Sequence, residues 1–500
     1  MRNYINGKWV DYSGKLFAKI NPASEVVSGA WPESNEATVL DAVNAAREAQ
    51  KFWRQLSRIK RADYFETLML KMREHQSEIV SAIVADTGKN TNEATAEFNE
   101  SVHMVQYTFA QGREPYGTFV GSEIAEKDIV VFRKPKGVVA VISPFNFPCA
   151  IGGFWTSAPA ILEGNTVILK PSEDAPATAD VIAKMYQEAG FPAGVFNLIH
   201  GKGETGSYLV NADVNHICFT GSVKVGQYIR KCCADSLNKS CSCEMGSKSA
   251  VVVFEDINMD LALDACIASA FKLSGQRCVS ASRILVQRRI VDQFAAKFVE
   301  KAKQIAEGIG NLKSLTGFEH QNPTAYYGPL ISKEAVQRVV QYNMMVMRDM
   351  DAKVLMDGSL QGNTDISKGY YLGPFVYKTE WYDNKRYLKE EVFGPHVAII
   401  PFDTVDDAVK IYNDTDFGLS MAVLTQNMSV ARYMRDNCEY GLGYHNLPCI
   451  GAESHIPFGG VKASGYGGAS AAGSFKTTSH EVTWTANFDP NGFRFCQGMK

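Results

Sequence analysis

Val138-Val139-Ala140-Val141-Ile142, followed after helical material by Thr166-Val167-Ile168-Leu169, are the runs that decide the fold. Each is short, rich in β-branched residues and followed by loop residues. Strands that are apolar throughout are buried on both faces, the property of a parallel sheet covered by helices. Working outward, 195–199 and 216–219 continue this β-α-β grammar, 250–254 and 284–286 read as further strands, and 291–309 reads as helix. The expected class is therefore α/β. Toward the start, Asn6-Gly7 between Tyr4-Ile5 and Lys8-Trp9-Val10 predicts a hairpin. Residues 37–53 and 58–85 have the spacing of amphipathic helices laid over a sheet. A β excursion is expected within 118–136, around Ile129-Val130-Val131-Phe132, and a last strand at Val482-Thr483-Trp484. The Gly-, Ala- and Ser-rich stretch 465–473 reads as a mobile loop.

The 500 residues exceed one hydrophobic core, so several domains are expected. Lys and Arg total 51 against 54 Asp and Glu, a net charge of −3, which gives no field favouring nucleic acid or an anionic membrane. Residues 137–162 carry no charge and are long enough to span a bilayer. Pro144, Pro148 and Pro159 would break such a helix repeatedly, so the segment reads as strand, loop and the start of a core helix. No secretory h-region follows Met1, and eleven cysteines without regular spacing read as reduced thiols. A cytoplasmic protein is expected. Cys232, Cys233, Cys241 and Cys243 do not have zinc-site spacing, and no metal is expected.

Several stretches have chemical potential. Ser274-Gly275-Gln276-Arg277-Cys278 offers a thiol beside a cation that would favour the thiolate. Phe219-Thr220-Gly221-Ser222 follows a strand and, with Gly226, suits either a phosphate at a helix N-terminus or an ordinary turn. Lys170-Pro171-Ser172-Glu173 also lies at a strand end and reads as either ribose ligands or a solvated turn. In Pro144-Phe145-Asn146-Phe147-Pro148 a rigidly held amide would either stabilise an oxyanion or cap backbone groups. Glu244 in Glu244-Met245-Gly246 would serve as a base. Glu391 and Phe393 suit a ribose and a planar ring, and Pro457-Phe458-Gly459-Gly460 forms a glycine turn.

Taken in chain order, and with Gly164-Asn165-Thr166 between the first and second, these stretches resemble the NAD(P)-dependent aldehyde dehydrogenase superfamily over nearly the whole chain. The resemblance implies a Rossmann-like NAD-binding domain of 1–117, 137–246 and 457–475. It also implies an α/β catalytic domain of 247–456, and an oligomerisation flap and tail of 118–136 and 476–500. A homodimer or homotetramer follows from the same resemblance. It assigns Cys278 as nucleophile, Asn146 and the Cys278 amide as oxyanion donors, and Glu244 as the base of hydrolysis. Cofactor contacts would come from Ile142, Ser143, Phe145, Lys170, Ser172, Glu173, Phe219, Gly221, Ser222, Gly246, Glu391 and Phe393. The carboxylate of Glu173 would favour NAD over NADP by repelling a 2′-phosphate. Phe147, Phe154, Trp155, Arg277, Val279, His445 and Leu447 would line the aldehyde tunnel.

Hydrolytic oxidation of an aldehyde to a carboxylic acid is the expected reaction. A CoA-acylating semialdehyde dehydrogenase and a non-catalytic binding protein derived from the family are the alternatives. Three departures stand out: Ser247 in place of a second glycine, Phe154 and Trp155 near the position of a proton-relay lysine, and no acidic residue after the 457–460 turn. Ser247 is expected to crowd the cofactor or the movement of Glu244. Arg277 would either pair with an anionic group of the substrate or serve as an orienting cation.

Overall fold

The computed structural model describes residues 2–310, 325–360 and 369–494. Two sheets carry the architecture. The first runs from edge to edge as Lys8–Asp11, Arg2–Ile5, Phe196–Leu198, Thr166–Lys170, Val138–Ile142, His216–Thr220, Ser240–Glu244 and Gly465–Tyr466. Its five central strands are parallel, and their spatial order is third, second, first, fourth, fifth in the chain. Crossovers leave the first and fourth of these strands in opposite directions, opening a crevice at the carboxyl ends where ligands bind. Those ends are Ile142, Lys170, Thr220 and Glu244.

Both faces of the deciding strands are covered. Val139, Val141, Val167 and Leu169 pack into one core with Phe154 and Ile182. Val138, Ala140 and Ile168 pack into another with Val39, Val43 and Ala46 of the helix Glu36–Trp53. Each valine so buried stabilises the fold by about 2 kcal/mol. Uninterrupted apolar sequence is thus the signature of helices on both sides.

The second sheet runs Ala352–Asp357, Phe375–Thr379, His396–Phe402, Arg283–Gln287, Ala250–Val253, Ser420–Leu424 and Leu442–His445. All its neighbours are parallel except the first pair. Gly117–Val120, Lys127–Pro135 and Ser479–Asn487 form a third, antiparallel sheet. Residues 495–500 of the expected tail, like Met1, lie outside the described residues.

Local chemistry sets the element boundaries. Ile5 pairs with Lys8 across Asn6-Gly7, whose φ values of 51° and 75° suit a turn with two left-handed positions. The helical region expected at 58–85 is two helices, Arg58–Glu74 and Gln76–Thr87, that meet at His75. Residues 137–162 resolve into the strand Val138–Ile142, a π-helix Pro148–Thr156 and a helix Ser157–Leu162.

The loop expected at 465–473 is instead tied down at both ends. Gly465–Tyr466 pairs with Ser240–Glu244, and Ser470–Ala471 pairs with Pro457–Phe458. Glycine serves here for close approach rather than mobility: a Cβ on Gly467, at φ 79°, would lie 2.0 Å from the Cys241 carbonyl oxygen. Among the described residues no helix is long and apolar enough to cross a membrane, and no group of three or more His, Cys, Asp or Glu is placed to hold a metal.

Candidate active site

Cys278 follows a turn held far from ordinary backbone geometry. Leu273, Ser274 and Gly275 have φ of 55°, 56° and 69°, and left-handed positions are costly for the first two. Neighbouring segments impose the shape. The Leu273 amide donates to Glu93 at 2.8 Å, the Ser274 hydroxyl to the Gly328 carbonyl at 2.5 Å, and Gln276 Nε2 to the Pro329 carbonyl at 3.2 Å. Gly275 admits no side chain, because a Cβ there would stand 2.3 Å from the Gly394 oxygen.

The half-buried Cys278 is reached from a cavity of about 930 Å³ that opens along the carboxyl ends of the first sheet. Burial, followed by the negative charges of Glu391 and Glu244, pushes its thiol up to about 12. The amides of Val279 and of Cys278 itself oppose that rise. At rest Cys278 is therefore the thiol. Arg277 does not hold the sulfur as thiolate, contrary to the first expectation from its adjacency. Its guanidinium lies over the Phe147 ring, 5.2 Å from the centroid, and its charge acts on Glu100. Neighbours in an irregular turn need not share a direction.

Asn146 is buried and lines the same cavity. Its Nδ2 donates one hydrogen to the Gln276 carbonyl at 3.0 Å, which fixes the amide beside the nucleophile turn and leaves a second N–H for an incoming oxygen. Glu244 ends its strand beside the 457–460 turn, with Oε1 3.1 Å from the place of a Cβ on Gly459. Neither carboxyl oxygen has a well-aligned hydrogen-bonding partner, and burial, opposed by the nearby backbone amides of Ser470 and Gly460, holds its pKa well above the usual carboxylate range. Burial thus favours the protonated form of Glu244.

All twelve residues expected at the cofactor line the large cavity: Ile142, Ser143, Phe145, Lys170, Ser172, Glu173, Phe219, Gly221, Ser222, Gly246, Glu391 and Phe393. The lining fits a dinucleotide. Ser222 caps the helix Val223–Ala234, whose N-terminus faces the cavity and suits a pyrophosphate. At Gly246 a Cβ would stand 2.4 Å from Glu391 Oε2, so only glycine leaves that wall open. Phe393, at φ 58°, meets Phe145 edge to face at 6.0 Å. Lys170 and Glu173 sit 3.9 Å apart at the far end.

The residues expected at the aldehyde divide. Phe147 lies between Lys89 Nζ, 4.3 Å from its centroid, and Arg277. Val279 is buried just past the nucleophile and accepts from the Cys449 thiol. Phe154, by contrast, is fully buried and stacks on Tyr186 at 6.0 Å in the core. Trp155 packs on Phe458 at 5.4 Å, its buried indole N–H without a partner. His445 turns Nε2 to the Thr425 carbonyl at 3.0 Å, whereas Tyr444 feels the charges of Cys278 and Glu100. Adjacent residues of a strand face opposite sides, so Tyr444, not His445, lies on the side of Cys278. Leu447 is largely exposed.

Sequence reading missed Tyr444 and Glu100. A two-residue count along Leu442–His445 would have found the first. The second, on the helix Thr91–Gln111, carries no sequence signal linking it to Arg277. Burial raises the Glu100 carboxyl to about 7, with Glu97 adding to the rise and Arg277 opposing it. Glu100 also lines a second cavity of about 680 Å³, formed with His103, Tyr107 and residues 452–455.

This constellation of thiol, amide and buried acid at the end of a dinucleotide crevice defines a class, and comparison with known proteins places the chain in it. The model of the aldehyde dehydrogenase family matches residues 9–483, and the chain belongs to that family. It is an oxidoreductase acting on aldehydes. The chain is 32% identical over 504 residues to malonate-semialdehyde dehydrogenase of Lacticaseibacillus casei, covering 99% of this chain and 98% of that one. It is 34% identical to α-ketoglutaric semialdehyde dehydrogenase of Bacillus subtilis (strain 168), covering 92% and 93%. Among solved structures, betaine aldehyde dehydrogenase of Staphylococcus aureus in complex with NAD+ superposes with a TM-score of 0.91 at 27% identity, over 99% of this chain and 96% of that one.

Proposed function

We propose that this protein oxidises a carboxylate-bearing aldehyde to the acid with NAD, by hydrolysis of a thioester on Cys278. The observation that carries the reading is that Cys278 and Asn146 line the dinucleotide cavity together, with the buried Glu244 close enough for its charge to act on the thiol. The Cys278 sulfur adds to the carbonyl carbon as its proton leaves to water, and the carbonyl oxygen takes the charge. Asn146 Nδ2 and the Cys278 amide hold that oxyanion. NAD bound along the cavity supplies the acceptor for the hydride that the carbon gives up, which leaves a thioester on Cys278. Glu244 then takes a proton from water as the water attacks, the C–S bond breaks, and the acid departs. A base at Glu244 favours water over CoA as the acyl acceptor. Glu173, exposed at the far end of the cavity, supports NAD over NADP.

Arg277 supports an anionic substrate. Its Nε is buried without a partner, on the side of the turn that faces Phe147 and Glu100. A substrate carboxylate would complete that guanidinium, and both curated relatives are named for aldehydes that bear a carboxylate. In a panel of aldehydes of matched length, the wild type is expected to favour semialdehydes over neutral aldehydes by kcat/KM. Arg277→Ala is expected to lose about 10- to 100-fold on the semialdehydes alone, mostly in KM. Equal losses on both classes would make Arg277 a purely structural cation.

In this reading each domain implied by the resemblance would be built on one of the three sheets: dinucleotide binding on the first, the nucleophile on the second, and assembly on the third. The third sheet exposes Phe119 and Trp484, 77% and 67% accessible, an apolar surface suited to a second subunit. The expected assembly is a homodimer or homotetramer, and the described cysteines, all free thiols, suit the cytoplasm. Trp484→Asp is expected to lower the mass measured by light scattering to that of a smaller assembly while the far-UV spectrum is retained. An unchanged mass would move the interface elsewhere.

A further inference from the structure

Ser247, expected to crowd the cofactor or Glu244, turns its side chain toward the nucleophile instead. It is buried between the strands Ser240–Glu244 and Ala250–Val253, and its hydroxyl donates to the carbonyl oxygen of Cys278. A second hydroxyl, Ser249 Oγ, lies 3.0 Å from it. The Ser247 amide donates to Glu391 Oε1 at 2.8 Å, and Glu391 lines the cofactor cavity. One residue therefore touches both the nucleophile's backbone and a wall of the cavity.

The carbonyl of Cys278 and the amide N–H of Val279 belong to one planar trans peptide, so they point in opposite directions. Holding the oxygen toward Ser247 holds the N–H on the other side, where it favours the charged form of the Cys278 sulfur. A hydrogen bond accepted by the carbonyl also polarises the peptide and strengthens its N–H as a donor. We propose that Ser247 is a positioning residue for the nucleophile, its hydroxyl fixing the Cys278–Val279 peptide so that the Val279 amide stays aimed at the sulfur. The inference rests on Cys278 being the nucleophile. It goes beyond that role in assigning part of the thiol's reactivity to a side chain that touches neither substrate nor cofactor.

The test follows alkylation of Cys278 by iodoacetamide as a function of pH, with no aldehyde or NAD present, and quantifies the modified peptide containing residue 278 by mass spectrometry. In Ser247→Ala the midpoint of the alkylation profile is expected to move to higher pH, with the rate near pH 8 falling about three- to tenfold, the size of one lost hydrogen bond. Ser247→Thr, which keeps the hydroxyl, is expected to restore most of the rate. NAD binding by fluorescence serves as the folding control and is expected to stay within about twofold. A profile in Ser247→Ala that coincides with that of the wild type overturns the proposal, as does a threonine variant no better than alanine. The functional reading fails separately, if wild-type protein cannot reduce NAD with any aldehyde. A shifted alkylation profile in such a protein would still support the role of Ser247.

Discussion

Cys278→Ala is expected to lower aldehyde-dependent NAD reduction by at least about 10⁴-fold in kcat/KM, with NAD affinity unchanged. The size follows from the absence of a substitute. The other described cysteines are Cys149, Cys218, Cys233, Cys241, Cys243, Cys266 and Cys449, all buried, and Cys232 and Cys438, which are part-buried. None of these lines the large cavity. Alanine also leaves the turn intact, because its shape depends on Leu273, Ser274, Gly275 and Gln276 rather than on the thiol. Stopped-flow absorbance with enzyme in excess over aldehyde would show neither a burst nor slow turnover. A variant that retained the wild-type burst would remove Cys278 from the chemistry.

Glu244→Gln should separate the two halves of the reaction. Acylation needs the thiol and the oxyanion donors, so the variant is expected to keep a burst of about one NADH per active site. Deacylation needs a base for water, so steady-state turnover should fall about 10²- to 10³-fold. The pH dependence adds a second readout. Burial raises the pKa of Glu244, so at low pH the group is an acid that cannot accept the water's proton. Its base form accumulates as pH rises, and wild-type deacylation should rise with it. The glutamine variant, with nothing to titrate, should lose that rise. Loss of the burst as well would show that Glu244 acts earlier, on the thiol.

What was legible in the sequence follows a physical division. Strands buried on both faces announce themselves, as Val138–Ile142 and Thr166–Lys170 did, because helices above and below demand apolar residues at every position. The cofactor crevice was legible because turns that approach a ligand closely constrain residue type, as at Gly246. Orientation in irregular backbone was not. Arg277 stands next to Cys278 in sequence yet faces Phe147. The glycines of 465–473, which read as mobility, instead permit contact between backbones. The resemblance puts Phe154 in the aldehyde tunnel, but the π-helix Pro148–Thr156 rotates each residue less than an ordinary helix would and delivers that ring to the core. Ser247 was seen as a departure, yet only the structure shows which way its hydroxyl turns.

The turn before Cys278 borrows its shape from chain that is remote in sequence: Glu93, Gly328, Pro329 and Gly394. On its own, a segment with Leu273 and Ser274 at positive φ would relax to right-handed or extended backbone. The setting of the sulfur is consequently a property of the completed subunit. A nascent, clipped or partly unfolded chain presents Cys278 as one more ordinary thiol, without the cavity it lines and the Asn146 amide that the completed subunit ties to its turn.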